Sequence, residues 1–270
     1  MKPQRTMCAH HEPQIISIEQ NERLVVLALT LDTKSAEAQE VLEQAASEWR
    51  HFGETCLGRA LYRHHSIFKN QSDAPIWSHA EFVYFRDIVP AEVVDLLVSS
   101  PQPCGVHLLR AEILVTTPAS FIFPLGWSGS SDRPDRKSSL EYIDVDPAYL
   151  RDYREIMRRY IGPAASKLVA LGKLGTFRTM ETAAVLFQAP SLSAKWNQIH
   201  LSEVAADGFE GFGQEFDAAL REISPDRGFA GVFAGLDRMR TIPRWTLNDP
   251  VVEADAAVGQ WSKAWATARR

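Results

Sequence analysis

The chain has 270 residues, 45% of them hydrophobic, and a formal net charge of −5. That length can bury a real core and fits one large domain or two of ordinary size. Basic residues are dispersed among acidic ones, so there is no electrostatic footprint for nucleic acid, and no apolar stretch reaches the roughly 18 residues of a membrane helix.

Residues 1–20 are polar, lack the apolar run of a signal peptide and read as a flexible leader, which makes a cytoplasmic location the expectation. Cys8, Cys56 and Cys104 are odd in number and far apart, as free thiols of a reducing compartment would be. Leu24 to Leu31 is an apolar run of strand length. Asp32 to Phe52 then carries helical spacing at Ala36, Val41, Leu42, Ala45 and Trp49. Gly58 to Phe68 and Trp77 to Phe85 are aromatic-rich and flank the polar turn 69–75, which predicts a hairpin. Pro90 opens a second helix that Pro101 and Pro103 stop, and Val106 to Thr116 is a fourth strand. The first unit, residues 21–125, therefore reads β-α-β-β-α-β.

Residues 126–138 are rich in Gly, Ser, Pro and charge and read as a linker. The same order then begins again over 139–247. Leu140 to Val145 is a strand, Pro147 to Leu171 a long helix, Gly175 to Phe187 and Lys195 to Val204 two strands, and Phe209 to Arg221 a helix. Val232 to Ile242 is taken as the closing strand. Residues 248–270 read as a C-terminal amphipathic helix, with Asp249 before a first-turn Pro250.

In each half the third strand opens with Trp, in Trp77-Ser-His-Ala-Glu and in Trp196-Asn-Gln-Ile-His, which argues for duplication. The expected fold is α+β: two tandem ferredoxin-like βαββαβ modules. Each antiparallel sheet has helices on one face, and burying the other face against its partner sheet gives a barrel-type arrangement with a shared hollow.

Strand alternation sorts side chains between the two faces. Trp196, Gln198, His200 and Ser202 are assigned to the hollow, with Ile199 and Leu201 under the helices. In the same register Trp77, His79, Glu81 and Val83 face the hollow and Ala80, Phe82 and Tyr84 face helices. Arg110 and Glu112, Arg178, and either Tyr62 or Arg63 join the lining. A histidine beside a carboxylate in such a place can carry protons at working pH. His200 and His79 are thus the expected proton carriers, with Glu81 orienting or accepting. Arg178 or Arg110 would clamp an anionic group, and Trp196, Gln198, Trp77 and Ser202 would contact substrate.

Other motifs fail. Gly126-Trp-Ser-Gly-Ser130 lacks the last glycine and the strand-to-helix setting of a nucleophile elbow. The glycines of 172–175 and 208–213 lack phosphate-loop spacing. Cys8-Ala-His-His11 and His64-His65 lack zinc spacing, so no metal is expected.

Tyr142-Ile-Asp-Val-Asp-Pro147, the helix ending near Leu171-Gly172 and Trp196-Asn-Gln-Ile-His-Leu-Ser-Glu203 resemble the dimeric α/β-barrel superfamily, within it the NIPSNAP-like and EthD-like members. The resemblance covers most of Leu140 to Leu220 and, more faintly, the first half. It implies a small-molecule pocket in a superfamily that includes cofactor-free monooxygenases, isomerases, dehydratases and haem enzymes, and it fixes no reaction. The expected function is general acid–base catalysis without an organic cofactor, as an isomerase, a lyase or a cofactor-free monooxygenase. The alternatives are a haem enzyme with His200 or His79 as axial ligand and a non-catalytic ligand-binding or stress-response protein. The expected partner is a small organic substrate, with neither nucleic acid nor membrane; a homo-oligomer stays open.

Overall fold

In a computed structural model of the chain, residues 15–17, 23–47, 56–71, 77–124, 127, 136–205 and 211–253 are described. Strand β1 (Ile15–Ser17) is short. Strand β2 (Val25–Thr33) is the apolar run that starts the first half. Helix α1 (Ala36–Ser47) begins where Ser35 Oγ accepts the Ala38 N–H at 3.1 Å, a side-chain cap for one orphan donor. Strands β3 (Cys56–Asn70) and β4 (His79–Phe85) form the expected hairpin. Pro90 caps the short helix α2 (Ala91–Val94), which runs on as a π-helical turn to Ser99.

Strand β5 (Val106–Pro124) extends eight residues past its expected end. It bends at Ala119, the one described non-glycine residue with positive φ, at 59°. The bend lets its last residues pair with β1.

In the second half, strand β6 (Arg136–Val145) leads to Asp146, whose carboxylate accepts the Ala148 N–H at 2.9 Å ahead of the first-turn Pro147. The long predicted helix is four pieces: a 3-10 turn (Pro147–Tyr149), α3 (Leu150–Ile156), a π-helical turn (Met157–Ile161) and α4 (Gly162–Ala170). Strands β7 (Phe177–Gln188) and β8 (Gln198–Ala205) and helix α5 (Phe212–Ile223) follow the predicted order.

The closing segment departs from expectation. Val232 to Asp237 belongs to helix α6 (Gly228–Asp237), and the last strand is β9 (Arg240–Glu253). Residues 248–253, expected to start a C-terminal helix, are strand. Asn248 pairs with both Ser138 and His64, so its neighbours on two strands outweigh the local Asn-Asp-Pro cap signal. The remainder of that predicted helix, the leader apart from β1, and most of the linker lie outside the described residues.

Among the described residues every strand pairing is antiparallel. The order β5-β2-β4-β3-β9-β6-β8-β7 returns to β5 through the β5–β7 pairing, so eight strands close on themselves and β1 hangs on β5. In each half the fourth strand lies beside the first, the first beside the third and the third beside the second. Closure removes exposed edges and encloses a core.

That core is packed and aromatic. Ala80, Phe82 and Tyr84 meet Tyr142, Ile199 and Leu201 inside the barrel, while Leu61, Val83 and Phe85 lie under α1 and Phe177 and Val204 under α4 and α5. The expected faces are therefore reversed on both third strands. His79, Glu81 and Val83, and likewise Gln198, His200 and Ser202, point toward helices and not into the space enclosed between the sheets. Because side chains alternate with period two, one step of parity moves every residue within the strand, while Trp77 and Trp196, ahead of β4 and β8, stay inside the barrel. The parity follows from partners: helices supply carboxylates and carbonyls to the polar set, whereas the barrel interior fills best with rings.

Candidate active site

The predicted site residues fall in three places. Inside the barrel lie Trp77 and Trp196, the two strand-opening tryptophans, with ring centroids 5.5 Å apart and Tyr142 edge-on to both. Arg110 lies over Trp196, 4.2 Å from its centroid, and donates to Glu112 at 2.8 Å and to Gln188 at 3.0 Å. Trp196 Nε1 donates to the other Glu112 oxygen at 2.7 Å. Arg178, 2% exposed, donates to the Tyr62 and Tyr84 hydroxyls at 3.2 Å. The face of Tyr62 is thus interior, and Arg63 points outward toward Glu43. The Arg110 and Arg178 guanidiniums are both engaged with side chains of the barrel core.

Under α1 lie His79 and Glu81. Glu81 accepts from Arg59 Nε at 2.6 Å, and the same guanidinium donates to the Ala46 carbonyl at 2.9 Å, tying β3 and β4 to the end of α1. His79 Nδ1 meets Ser78 Oγ at 2.8 Å, and its Nε2 is 3.5 Å from Glu43. Burial holds the His79 imidazole below the ordinary histidine value, more than the nearby Glu43 raises it. Neither residue lines the two cavities that follow.

The third group is His200, Gln198 and Ser202 under the second-half helices. Two cavities meet there, and His200 and Met157 line both. The larger, 460 Å³, is polar: Gln198, Thr117, Ser120 and Thr179 line it together with Arg23, Arg151, Arg154 and Arg158. Its size suits a small organic ligand. The smaller, 240 Å³, is walled by Phe68, Phe177, Phe212, Phe216, Phe229 and Phe233, with Ser202 and Glu141 among its few polar residues.

A chain of hydrogen-bonding groups runs through this junction. Sheet register sets Glu141 of β6 opposite His200 of β8. Their Oε2 and Nδ1 are 3.4 Å apart. On its other side His200 Nε2 is 3.2 Å from the Tyr153 hydroxyl, carried by α3. Burial keeps His200 below the usual histidine range despite the opposing pull of Glu141. Burial also pushes Tyr153 up to about 12, with the nearby Arg240 acting the other way. For Glu141 burial pushes upward, but the hydrogen bond with His200 and the charge of Arg240 outweigh it and leave the carboxyl low. These directions and distances suit an ionised Glu141, a neutral His200 with its proton on Nδ1, and a neutral Tyr153 donating to Nε2.

No family model and no curated protein matches this chain. Among solved structures, an anthrone oxidase-like protein superposes with a TM-score of 0.53 at 12% identity, covering 89% of this chain and 95% of that one. A putative chlorite dismutase gives 0.44 at 11% identity over 88% and 99%, and a chlorite dismutase from Candidatus Nitrospira defluvii in complex with imidazole gives 0.44 at 10% over 88% and 95%. These structures belong to the dimeric α/β-barrel superfamily. The chain shares the fold of the anthrone oxidase-like protein, and at 12% identity that likeness extends to fold alone.

A haem ligated by His200 does not fit this arrangement, because Nε2 faces Tyr153 and Nδ1 faces Glu141 and neither nitrogen is left for iron. His79 is shut between Ser78 and Glu43. Among the described residues no three His, Cys, Asp or Glu gather as a metal site, and no helix is long and apolar enough to cross a membrane.

Sequence reasoning missed Tyr153, Glu141, Met157, Arg151 and Arg240. Two signals were present. Tyr153 and Met157 sit four apart on one helix face, and arginines recur at 151, 154, 158 and 159 along that helix. Glu141 carries no such mark, since only strand register brings it to His200.

Proposed function

We propose that the chain is a small-molecule enzyme working by general acid–base chemistry at Tyr153 and His200, without an organic cofactor. The observation that carries this reading is the Glu141–His200–Tyr153 chain, buried and ending at the junction of a polar and an apolar cavity. The Tyr153 oxygen takes a proton from an acidic carbon of the substrate as its own proton passes to His200 Nε2. The imidazolium so formed is stabilised by Glu141, and the substrate is left as an enolate-type anion. Return of the proton to another carbon completes an isomerisation; loss of a leaving group completes an elimination.

The two halves, each with strand order fourth-first-third-second, are read here as tandem ferredoxin-like modules. A closer kinship to NIPSNAP-like and EthD-like proteins rests on the segments around Tyr142 and Trp196. Within this reading His79 and Glu81 serve the first module's fold, and His200 alone of the predicted catalytic set acts in chemistry.

Anthrone, the compound in the name of a fold neighbour, is a suitable first probe because it is a flat aromatic ketone with an acidic methylene. Hydrogen–deuterium exchange at that methylene, followed by NMR in D₂O, is expected to be faster with the wild-type chain than with Tyr153→Phe or His200→Gln. Equal rates for all three overturn the assignment. A Soret band in the purified protein overturns its cofactor-free part.

A further inference from the structure

Resting on that reading, the polar cavity carries an indication of what the substrate bears away from its reacting carbon. Of its four arginines, two are engaged: Arg154 Nε donates to Glu181 at 2.8 Å, and Arg158 binds Glu155 at 3.0 and 3.1 Å. Among the described residues Arg23 and Arg151 have no carboxylate partner, so the mouth holds more positive than negative charge. Deeper in, Gln198 is 1% exposed and its amide nitrogen has no hydrogen-bond partner, although it lines the cavity. A buried amide donor left unmet costs free energy that an acceptor in the cavity would recover.

Positive charge therefore predominates at the mouth, and one buried donor of the lining is unmet. The two carboxylates at the mouth already sit on arginines, so a cationic ligand would find no free counter-charge. At the other end the cavity adjoins the phenylalanine-walled one, with His200 and Met157 lining both.

We propose that the site binds an amphiphilic carboxylate: an anionic head on Arg151 and Arg23 with the Gln198 amide near its oxygens, and a flat apolar body reaching past His200 toward Phe177 and Phe233. The head would anchor the molecule, so that the carbon between head and body lies beside the Tyr153 oxygen.

Isothermal titration of the full chain with 2-naphthoate and with its neutral counterpart 2-naphthylmethanol tests this. The carboxylate is expected to bind about tenfold or more tightly than the alcohol, as a charge-assisted guanidinium contact implies. Its affinity should fall with added salt and fall several-fold in Arg23→Gln/Arg151→Gln. Both arginines are exposed, so the variant keeps its fold. Equal binding of carboxylate and alcohol overturns the charge assignment, as does wild-type affinity in the double variant. Binding of neither probe overturns the inference as a whole. Exchange measured on Tyr153→Phe bears on the catalytic reading alone, so the two failures are told apart.

Discussion

The Tyr153 hydroxyl and His200 Nε2 lie 3.2 Å apart, one on a helix and the other on the sheet beneath it, at the point where two cavities meet. Removing the hydroxyl in Tyr153→Phe leaves the ring volume intact but strands a buried imidazole nitrogen. The expected stability cost is about 1–3 kcal/mol, and the expected loss of proton-transfer rate is about 10²-fold or more. Thermal melting beside NMR-detected exchange separates the two effects.

Acid should destabilise the fold earlier than carboxylate titration alone would. His79 and His200 are both held below the ordinary value of 6.5, chiefly by burial. Below pH 6.5 the unfolded chain takes up protons at these positions that the folded chain refuses until its lower pKa values are reached. Stability is therefore full above pH 6.5 and falls as pH drops from there toward the folded values. Urea unfolding between pH 7.5 and 5 should show this slope, and His79→Asn/His200→Gln should flatten it. An unchanged slope in the double variant would refute the assignment.

Arg59 and Glu81 form a buried pair that also ties down the last turn of α1. Glu81→Ala leaves a guanidinium buried without its counter-charge and should cost about 3–5 kcal/mol. Arg59→Met/Glu81→Leu should be less damaging than that single change, because no charge is left behind. Chemical denaturation of the three proteins checks the order, which a catalytic role for Glu81 would not produce.

Gly162 opens α4 where that helix crosses the bend in β5. A Cβ there would stand 2.0 Å from the Ala119 carbonyl oxygen. Gly162→Ala should therefore cost about 3 kcal/mol, near the upper end for overpacking. Gly172, at φ +71° with nothing within 4 Å of a built Cβ, has only backbone strain to pay, so Gly172→Asn should cost less than about 1 kcal/mol. Differences in melting temperature would rank the two.

Much of the fold was legible because its elements carry local signals. The apolar run at Leu24, the capped start at Asp146-Pro147 and the matched tryptophans Trp77 and Trp196 each mark an element or a repeat within a few residues of sequence. The last strand was not legible. Asn248-Asp-Pro250 spells a helix start, and only pairing of β9 with both β3 and β6 makes it a strand.

The candidate site divides along the same line. Period-two alternation in the sequence put Trp196, Gln198, His200 and Ser202 on one face and Ile199 and Leu201 on the other; the chain keeps that grouping within β8, but Trp196, ahead of the strand, lies inside with Ile199 and Leu201. Which group looks inward is not a property of the strand. Barrel closure decided it, since the enclosed space is filled by Tyr62, Phe82, Tyr142 and their neighbours from both halves. That left the helix-covered side to supply Tyr153 for one histidine and Glu43 for the other. Local sequence sets the order and amphipathicity of the elements, because those depend on neighbours along the chain; the partners of a buried polar group come from distant segments, and only the assembled structure chooses them.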